Sequence, residues 1–161
     1  MARQFNKISF NQFSQDTGLN IKEYNEYPIP KRSTFHSAGY DFSLLDDITI
    51  LPGEIKKIPT GIKVQMENDE VLLIFIRSSL GFKYNLRMCN QVGIIDSDYY
   101  NNEENEGHIF IKLQNEGEKT VTLKKGEHIV QGIFIKYLMT DNDDLLQVKR
   151  TGGFGSTNKE G

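Results

Sequence analysis

Residues 90–99 read Asn-Gln-Val-Gly-Ile-Ile-Asp-Ser-Asp-Tyr, so an amide, a carboxylate and an aromatic side chain flank one short apolar run. The run favours a β-strand, and Gly93 within it indicates a bulge or a close approach of neighbouring backbone. Asp-Ser-Asp is typical of a turn, so we expect Tyr99 to begin a return strand that completes a hairpin. The hairpin backbone and the amide of Asn90 can then recognise the edge of a flat ring, while Asp96 can accept a proton from water.

Two other segments carry side chains that suit an anion. The sequence Arg-Ser-Ser at residues 77–79 follows an apolar run, and hydroxyls at a helix start bind anions, although a plain N-cap at Ser78 is the simpler alternative. Residues 150–157 bring a guanidinium, an aromatic ring and two hydroxyls close together. An arginine offers forked donors to a phosphate and a phenylalanine can stack on a base, but the glycine content alone also fits a disordered tail.

The elements that position these groups are short. Apolar runs recur along the chain and are separated by turn signals such as Pro52-Gly53-Glu54. Many short strands at this spacing predict an all-β sandwich, barrel or jelly roll. We expect one short helix at 78–84 and a brief helical turn at 11–17. Residues 1–149 are expected to form a single β domain, followed by a flexible glycine-rich arm at 150–161.

Composition restricts the classes of partner. The net charge of −3 argues against general attraction to nucleic acids or membranes, so local groups have to hold any anionic substrate. The longest apolar run, at 71–76, is too short to cross a bilayer, and the N-terminus has no basic region before an apolar core. The single cysteine, Cys89, fits a reducing compartment. We therefore expect a cytoplasmic protein with no nucleic-acid or membrane partner.

Five segments, in order, resemble the motifs of the trimeric dUTPases, the deoxyuridine 5'-triphosphate nucleotidohydrolases. They are Ser-Ala-Gly-Tyr-Asp at 37–41, Arg-Ser-Ser-Leu-Gly at 77–81, the 90–99 stretch, Gly-Glu-His-Ile-Val-Gln-Gly at 126–132 and the 150–157 segment. The resemblance covers 30–157 and implies a dUTPase-like jelly roll or β-barrel that acts as a homotrimer. It implies a bacterial or phage-encoded enzyme that hydrolyses dUTP to dUMP and pyrophosphate with Mg²⁺, which limits uracil in DNA and supplies dUMP for dTMP synthesis.

The resemblance also implies a role for each matching residue. Asp96 activates the water that attacks the α-phosphorus, and Asp41 faces the magnesium through bound water. The hairpin holds uracil, Tyr99 packs under the deoxyribose, and the arm closes over the site of a neighbouring subunit. The residues expected to bind substrate are Arg77, Ser78, Ser79, Asn90, Gly93, Ile95, Tyr99, Gln131, Arg150, Phe154, Gly155, Ser156 and Thr157.

Two alternatives stay open. A dCTP deaminase of the same fold shares Arg-Ser-Ser-Leu, but such an enzyme resembles Ile-Asp-Pro-Gly where this chain has Ile-Asp-Ser-Asp-Tyr, and it has a catalytic glutamate near Lys112. A dUTPase-like protein with an added regulatory role is the other alternative, because residues 100–106 lengthen the chain between Tyr99 and Gly107. On composition, 101–106 is a solvated surface loop that is available to a protein partner.

Overall fold

The computed structural model describes residues 2–143, 150, 152 and 153, and within them the chain forms twelve β-strands and three α-helices. The strands are β1 (Gln4–Lys7), β2 (Lys31–Arg32), β3 (Tyr40–Ser43), β4 (Ile48–Ile50), β5 (Ile55–Pro59), β6 (Ile62–Gln65), β7 (Glu70–Ile76), β8 (Leu86–Met88), β9 (Gly93–Asp96), β10 (Phe110–Asn115), β11 (Val121–Leu123) and β12 (His128–Lys136). The helices are α1 (Phe10–Thr17), α2 (Ile21–Glu26) and α3 (Ser78–Tyr84), and one 3₁₀ turn spans Ser97–Tyr99.

Antiparallel pairing organises these strands into one sheet of five and three smaller sheets. The large sheet has the order β2-β3-β12-β7-β9, the second is β5-β10-β8, and β1 pairs with β6 and β4 with β11. In the large sheet, Gln131 of β12 lies opposite Asp41 of β3 on one side and opposite Phe75 of β7 on the other. Because directly opposite residues share a face of the sheet, this register brings the glutamine and the carboxylate together.

One apolar core lies between the sheets, and the expectation of an all-β fold is confirmed. Phe42 of β3, Leu72 of β7 and Ile111 of β10 are fully buried in it. Along β7, β10 and β12 apolar residues pack against this core, which holds the large sheet and the β5-β10-β8 sheet face to face. The functional segments therefore lie on the ends and edges of a rigid β framework.

Three helices form, where one short helix at 78–84 and a brief helical turn at 11–17 were expected. α1 begins after Ser9, whose hydroxyl accepts a hydrogen bond from the Gln12 amide, and ends at Gly18 with a φ of 72°. The sequence analysis did not predict α2, although Asn20 and Glu23 form a reciprocal capping box there. Phe13 of α1 stacks on another buried ring at 5.5 Å, so the N-terminal helices close one end of the core. None of the described helices is both long enough and apolar enough to span a membrane.

The predicted return strand at Tyr99 is wrong. Tyr99 ends the 3₁₀ turn instead, and β9 pairs with β7 rather than with a strand that follows it. The next strand, β10, pairs with β5 and β8. Two physical causes act here: the tyrosine ring is buried beside β9, and the following loop turns away through left-handed residues at Asn101, Glu106 and Gly107.

Candidate active site

A cavity of about 160 Å³ lies beside β9 and brings together many of the predicted site residues. Its polar wall contains Asn90, Asp96, Tyr99 and Arg150, and Gly93 and Ile95 line it as well. The sequence analysis did not single out the apolar part of the lining, which includes Ile74, Met88, Phe110 and Gly153. We refer to this cavity as the ring pocket, because its apolar lining and polar edge suit a flat heterocycle.

Gly93 sets the depth of the ring pocket. A Cβ added at this position would lie 3.1 Å from Cβ of Ile74 and 3.5 Å from Cε of Met88. Gly93 and Ile74 are direct partners in the β7–β9 register, so the missing side chain lets the two strands and the methionine close the pocket floor. Gly93 begins the strand and lies in no bulge, and the atoms that approach it closely belong to side chains rather than to the backbone that was predicted.

Tyr99 forms a wall of the ring pocket, and its hydroxyl is fully bonded. The hydroxyl donates to the backbone oxygen of His108 at 2.6 Å and accepts a hydrogen bond from Nδ2 of Asn105 at 2.8 Å. The residue is only 7% exposed. Burial raises the pKa of the Tyr99 phenol, so it stays neutral and keeps its proton for the bond to His108.

Arg150 holds the two carboxylates at the rim. Its Nη2 atom donates to Oδ2 of Asp96 at 2.8 Å, and its Nε atom donates to Oδ1 of Asp98 at 2.8 Å. The Asp96 side chain nevertheless stays 48% exposed, so water reaches the pair. The resemblance predicted an arm that closes a neighbouring subunit's site, whereas Arg150 lies here against the carboxylates of its own chain.

The remaining predicted arm residues, Phe154, Gly155, Ser156 and Thr157, lie outside the described residues. Gly152 and Gly153 are described and lie next to the ring pocket. A Cβ at residue 152 would overlap the Glu104 carboxylate, and one at residue 153 would lie 2.8 Å from Cε1 of Tyr99. The clash at residue 153 is with a rigid buried ring, whereas the one at residue 152 is with a flexible side chain that can move aside.

A second cluster gathers the other predicted groups around an open depression of about 410 Å³. It contains Asp41, Arg77, Ser78, Ser79 and Gln131, which come from β3, the start of α3 and β12. We refer to it as the anion cluster. Ser33 and Ser37, which the sequence analysis did not select, also line it. The serine-rich sequence at 33–37 was the signal that could have indicated them.

Asp41 is the buried acid of the anion cluster. It is 8% exposed, and its two carboxylate oxygens lie 3.7 Å from Nε of Arg77 and 3.6 Å from Nδ1 of His128. Gly39 leaves room for the Gln131 amide, since a Cβ there would overlap Oε1 of the glutamine. Among the described residues, no three His, Cys, Asp or Glu side chains converge on one point. One carboxylate therefore faces cations and hydroxyls, a setting that suits a metal held through its own water shell between protein and phosphates.

The alternative interpretation of Ser78 as a plain N-cap is wrong. Arg77 is the N-cap of α3, and Ser78 is the first helical residue. The hydroxyls of Ser78 and Ser79 both line the depression. They are therefore available to a ligand rather than to the first turn of their own helix.

Asp96 at the rim of the ring pocket and Arg77 of the anion cluster lie beside opposite ends of β7. Asp96 pairs with Val71 near one end of this strand, and Arg77 follows Ile76 at the other end. Arg77 lies six residues after Val71, which corresponds to about 20 Å of extended strand at the usual rise per residue. Within one chain, Asp96 and Arg77 therefore do not lie side by side.

An all-β framework that carries a ring-sized pocket beside a carboxylate, and a separate cluster of cationic and hydroxyl groups, defines a nucleotide-binding β protein. The dUTPase family model matches residues 25–158. The chain is 51% identical to the deoxyuridine 5'-triphosphate nucleotidohydrolase of Lactococcus lactis subsp. lactis over 130 residues, which cover 80% of this chain and 87% of that protein. The chain therefore belongs to the dUTPase family.

More distant relatives and solved structures agree. The corresponding nucleotidohydrolase of Desulfitobacterium hafniense (strain DSM 10664 / DCB-2) is 38% identical over 136 residues, which cover 80% of this chain and 86% of that protein. The crystal structure of dUTPase from Streptococcus mutans superimposes on this chain with a TM-score of 0.71 at 41% sequence identity. The match covers 87% of this chain and 100% of the Streptococcus mutans chain. These comparisons confirm the dUTPase-like fold that the motif order predicted.

Proposed function

We propose that this chain hydrolyses dUTP to dUMP and pyrophosphate, with Asp96 as the general base that activates the attacking water at the α-phosphorus. The observation that carries this proposal is the partly exposed Asp96 carboxylate on the rim of a ring-sized pocket. A base typically contributes ~10²–10⁴-fold to the rate of such a reaction. Asp96 does not need a metal to be correctly placed, because β9 pairing fixes its position.

Uracil is proposed to enter the ring pocket edge-on. Backbone groups around Gly93 and the amide of Asn90 would bond to the polar edge of the base, and cytosine would present the opposite pattern of donor and acceptor. The close packing of Gly93 on Ile74 leaves little space for the methyl group of thymine. Tyr99 would lie under the sugar and exclude a ribose 2'-hydroxyl.

The phosphates are proposed to lie in the anion cluster of a neighbouring copy. Arg77, Ser78, Ser79 and Gln131 present a guanidinium, hydroxyls and an amide to one depression, and such preorganised donors stabilise the negative charge that develops on the phosphates. The ~20 Å along β7 between Arg77 and the end that pairs with Asp96 supports a site shared between copies. The homotrimer that the motifs implied is the proposed assembly.

Magnesium is the proposed cofactor, and Asp41 is the residue that would face it through water. The ion prefers oxygen ligands and keeps part of its water shell, so a single carboxylate beside the phosphates suffices. When bound, it neutralises charge on the triphosphate. Asp41 also lies 3.7 Å from Nε of Arg77, which lines the same depression, and 3.6 Å from Nδ1 of His128.

Arg150 is proposed to exchange partners during the reaction. In the structure described here it bonds to Asp96 and Asp98, which hold it over the pocket rim. A triphosphate is a stronger bidentate partner for a guanidinium than two exposed carboxylates, so bound substrate would draw Arg150 away and leave Asp96 free for water. Phe154 would stack on the base, and Gly155, Ser156 and Thr157 would close over the phosphates.

Truncation tests the role of the arm. A chain that ends at Thr151 should fold with an unchanged melting temperature, because the core lies within residues 2–143. It should hydrolyse dUTP at least ~10-fold more slowly, since the stack of one aromatic ring on a base is worth ~1–3 kcal/mol. Pyrophosphate release provides the measurement, and full activity in the shortened chain would remove the arm from the mechanism.

A substrate panel tests the function as a whole. Pyrophosphate release should be fast with dUTP and slow with dTTP, dCTP and UTP, and no ammonia should form from dCTP. Ammonia release would instead favour the deaminase alternative. Lys112 argues against that alternative, because it is an exposed residue of β10 that pairs with Lys57 and cannot act as a carboxylate base.

A further inference from the structure

Specific hydrogen bonds order the loop of residues 101–107, whereas composition predicted a solvated surface loop at 101–106. Asn102 is 7% exposed, and its Oδ1 atom accepts hydrogen bonds from the backbone amides of Glu104 and Asn105. Glu106 accepts bonds from the amide and hydroxyl of Ser9 and from Nζ of Lys63. The loop is thereby fastened to both the N-terminal segment and β6.

Inside this loop, Asn102 and Asn105 form a closed set of hydrogen bonds around Tyr99. Nδ2 of Asn102 donates to the backbone oxygen of Tyr99 and to Oδ1 of Asn105, each at 2.8 Å. Nδ2 of Asn105 donates to the Tyr99 hydroxyl, also at 2.8 Å, while its Oδ1 atom accepts from the Gly107 amide at 3.1 Å. Both ends of the tyrosine are therefore held by the same two asparagines.

We propose that Asn105 is a positioning residue that sets the substrate discrimination of the ring pocket by fixing the Tyr99 ring. The buried ring is anchored by its hydroxyl bond to His108, and the second bond from Asn105 further restricts its tilt within the core. A Tyr99 ring that cannot tilt rejects a ribose 2'-hydroxyl, whereas a ring that can tilt accommodates it. The inference rests on the proposed role of Tyr99 as the sugar-facing wall.

The isosteric substitution Asn105→Asp isolates this contact. It keeps the Oδ1 acceptor for Gly107 and Asn102 and replaces only the amide donor that faces Tyr99. The hydroxyl then has one proton for two acceptors, so one of its two bonds is lost. Asn101→Asp is the matched control, since it adds the same charge in the same loop and keeps the acceptor for Lys63.

The measurement is kcat/KM for dUTP and for UTP, with the thermal midpoint as a check on folding. Asn105→Asp should lower the dUTP-to-UTP ratio about 3- to 10-fold, the equivalent of one ordinary hydrogen bond. The change should come from a lower KM for UTP and a higher KM for dUTP, with kcat for dUTP little altered. Asn101→Asp should keep the ratio of the unmodified protein.

A double-mutant cycle with Tyr99→Phe separates positioning from general support of the loop. Asn105→Asp should have no further effect on the ratio in the Tyr99→Phe background, because the contact is already absent. An effect of Asn105→Asp that is equal in both backgrounds, or an unchanged ratio in the single variant, would overturn the proposal. If Asn105→Asp does not fold, Tyr99→Phe alone removes the same bond, and an unchanged ratio there would also overturn it.

The failure of the inference is distinct from the failure of the proposed function. If the unmodified protein hydrolyses UTP as well as dUTP, the sugar-facing role of Tyr99 is wrong and Asn105 has nothing to position. If the unmodified protein discriminates and Asn105→Asp keeps that discrimination, the role of Tyr99 stands and only the role of Asn105 is lost.

Discussion

The ring pocket and the anion cluster solve two recognition problems by different means. The ring pocket is small and combines an apolar floor with a polar edge, and its aromatic wall is 7% exposed. The anion cluster is wide and open, and it offers side-chain cations and hydroxyls around one buried acid. A flat base can be selected by the shape of the pocket and by hydrogen bonds to its edge, and a single chain can preorganise both. Phosphates need positive charge, which a second copy can bring.

The difference also separates what one chain completes from what it leaves incomplete. Two strands, a glycine and a bonded tyrosine enclose the ring pocket within one copy. Arg77 of the anion cluster lies about 20 Å along β7 from the end that pairs with Asp96. The proposed role of Asp96 as the base therefore requires a neighbouring copy that brings its anion cluster to the ring pocket.

The largest effect is expected from Asp96→Asn. Asparagine has nearly the size of aspartate and leaves the shape of the pocket unchanged. Its amide cannot accept a proton from water, so turnover should fall ~10²–10⁴-fold. Binding of an unreactive dUTP analogue, measured by calorimetry, should stay within a few-fold of the unmodified protein. Near-normal turnover would show that another group is the base.

A complementation experiment tests the separation of the two regions. Asp96→Asn damages the ring pocket side and Arg77→Ala damages the anion cluster, so each variant alone should be nearly inactive. Co-expressed copies should recover about a quarter of the unmodified activity. In a closed ring each interface receives its two copies at random, and one combination in four has both Asp96 and Arg77 intact. Activity no higher than the sum of the separate variants would place both regions in one chain's site and break the comparison.

A smaller effect is expected from Gly93→Ala. The added methyl group would lie 3.1 Å from Cβ of Ile74, so β9 has to move outward by a few tenths of an ångström. We expect a several-fold rise in KM for dUTP and a loss of about 1 kcal/mol in the free energy of unfolding. Gly81→Ala is the control, because the nearest atom to its new methyl group is 3.8 Å away. Equal behaviour of the two variants would contradict the close packing of the pocket floor.

The smallest effect is a pH dependence of the free energy of unfolding that arises from His108. Nε2 of His108 accepts a hydrogen bond from the Gly61 amide at 2.9 Å, so the ring is neutral and its Nδ1 atom donates to Asp16 at 2.6 Å. Burial lowers the pKa of His108 more than the nearby Asp16 carboxylate raises it. The unfolded chain therefore takes up a proton first, and the free energy of unfolding should fall as the pH drops below about 6.5.

Urea unfolding at pH 5 and at pH 7.5 measures this dependence. His108→Gln should flatten it, whereas His36→Gln, a change at an exposed histidine, should leave it unchanged. A dependence that survives His108→Gln would assign the acid sensitivity to other groups.

Much of the fold could be predicted from local chemistry. Turn residues and short apolar runs indicated an all-β chain, and Gly18 indicated the end of α1. The capping box at Asn20 was present in the sequence, but the single turn and a half of α2 carried too little apolar periodicity to be recognised. The return strand at Tyr99 failed because a 3₁₀ turn and a buried ring took precedence over the local preference for an extended chain.

The site residues likewise separate into those that the sequence could indicate and those that only the structure reveals. Residue types and spacing sufficed to select Asp96, Gly93 and Tyr99, because a carboxylate, a missing side chain and a flat ring are properties of single residues. Composition also indicated polar residues at 101–106, but it could not show that Asn102 and Asn105 turn inward. Their partners lie on Tyr99 and Gly107, and only the packed chain brings one donor to the backbone oxygen of Tyr99 and the other to its phenol.

The sequence by itself determined which groups are available for the proposed chemistry: a carboxylate, an aromatic ring, and a set of cations and hydroxyls that suit phosphates. The tertiary structure decided where they stand, because strand register sets distances that local sequence does not encode. Pairing of β7 with β9 put Asp96 at one end of a strand and left Arg77 at the other. That separation follows from the fixed rise of an extended chain.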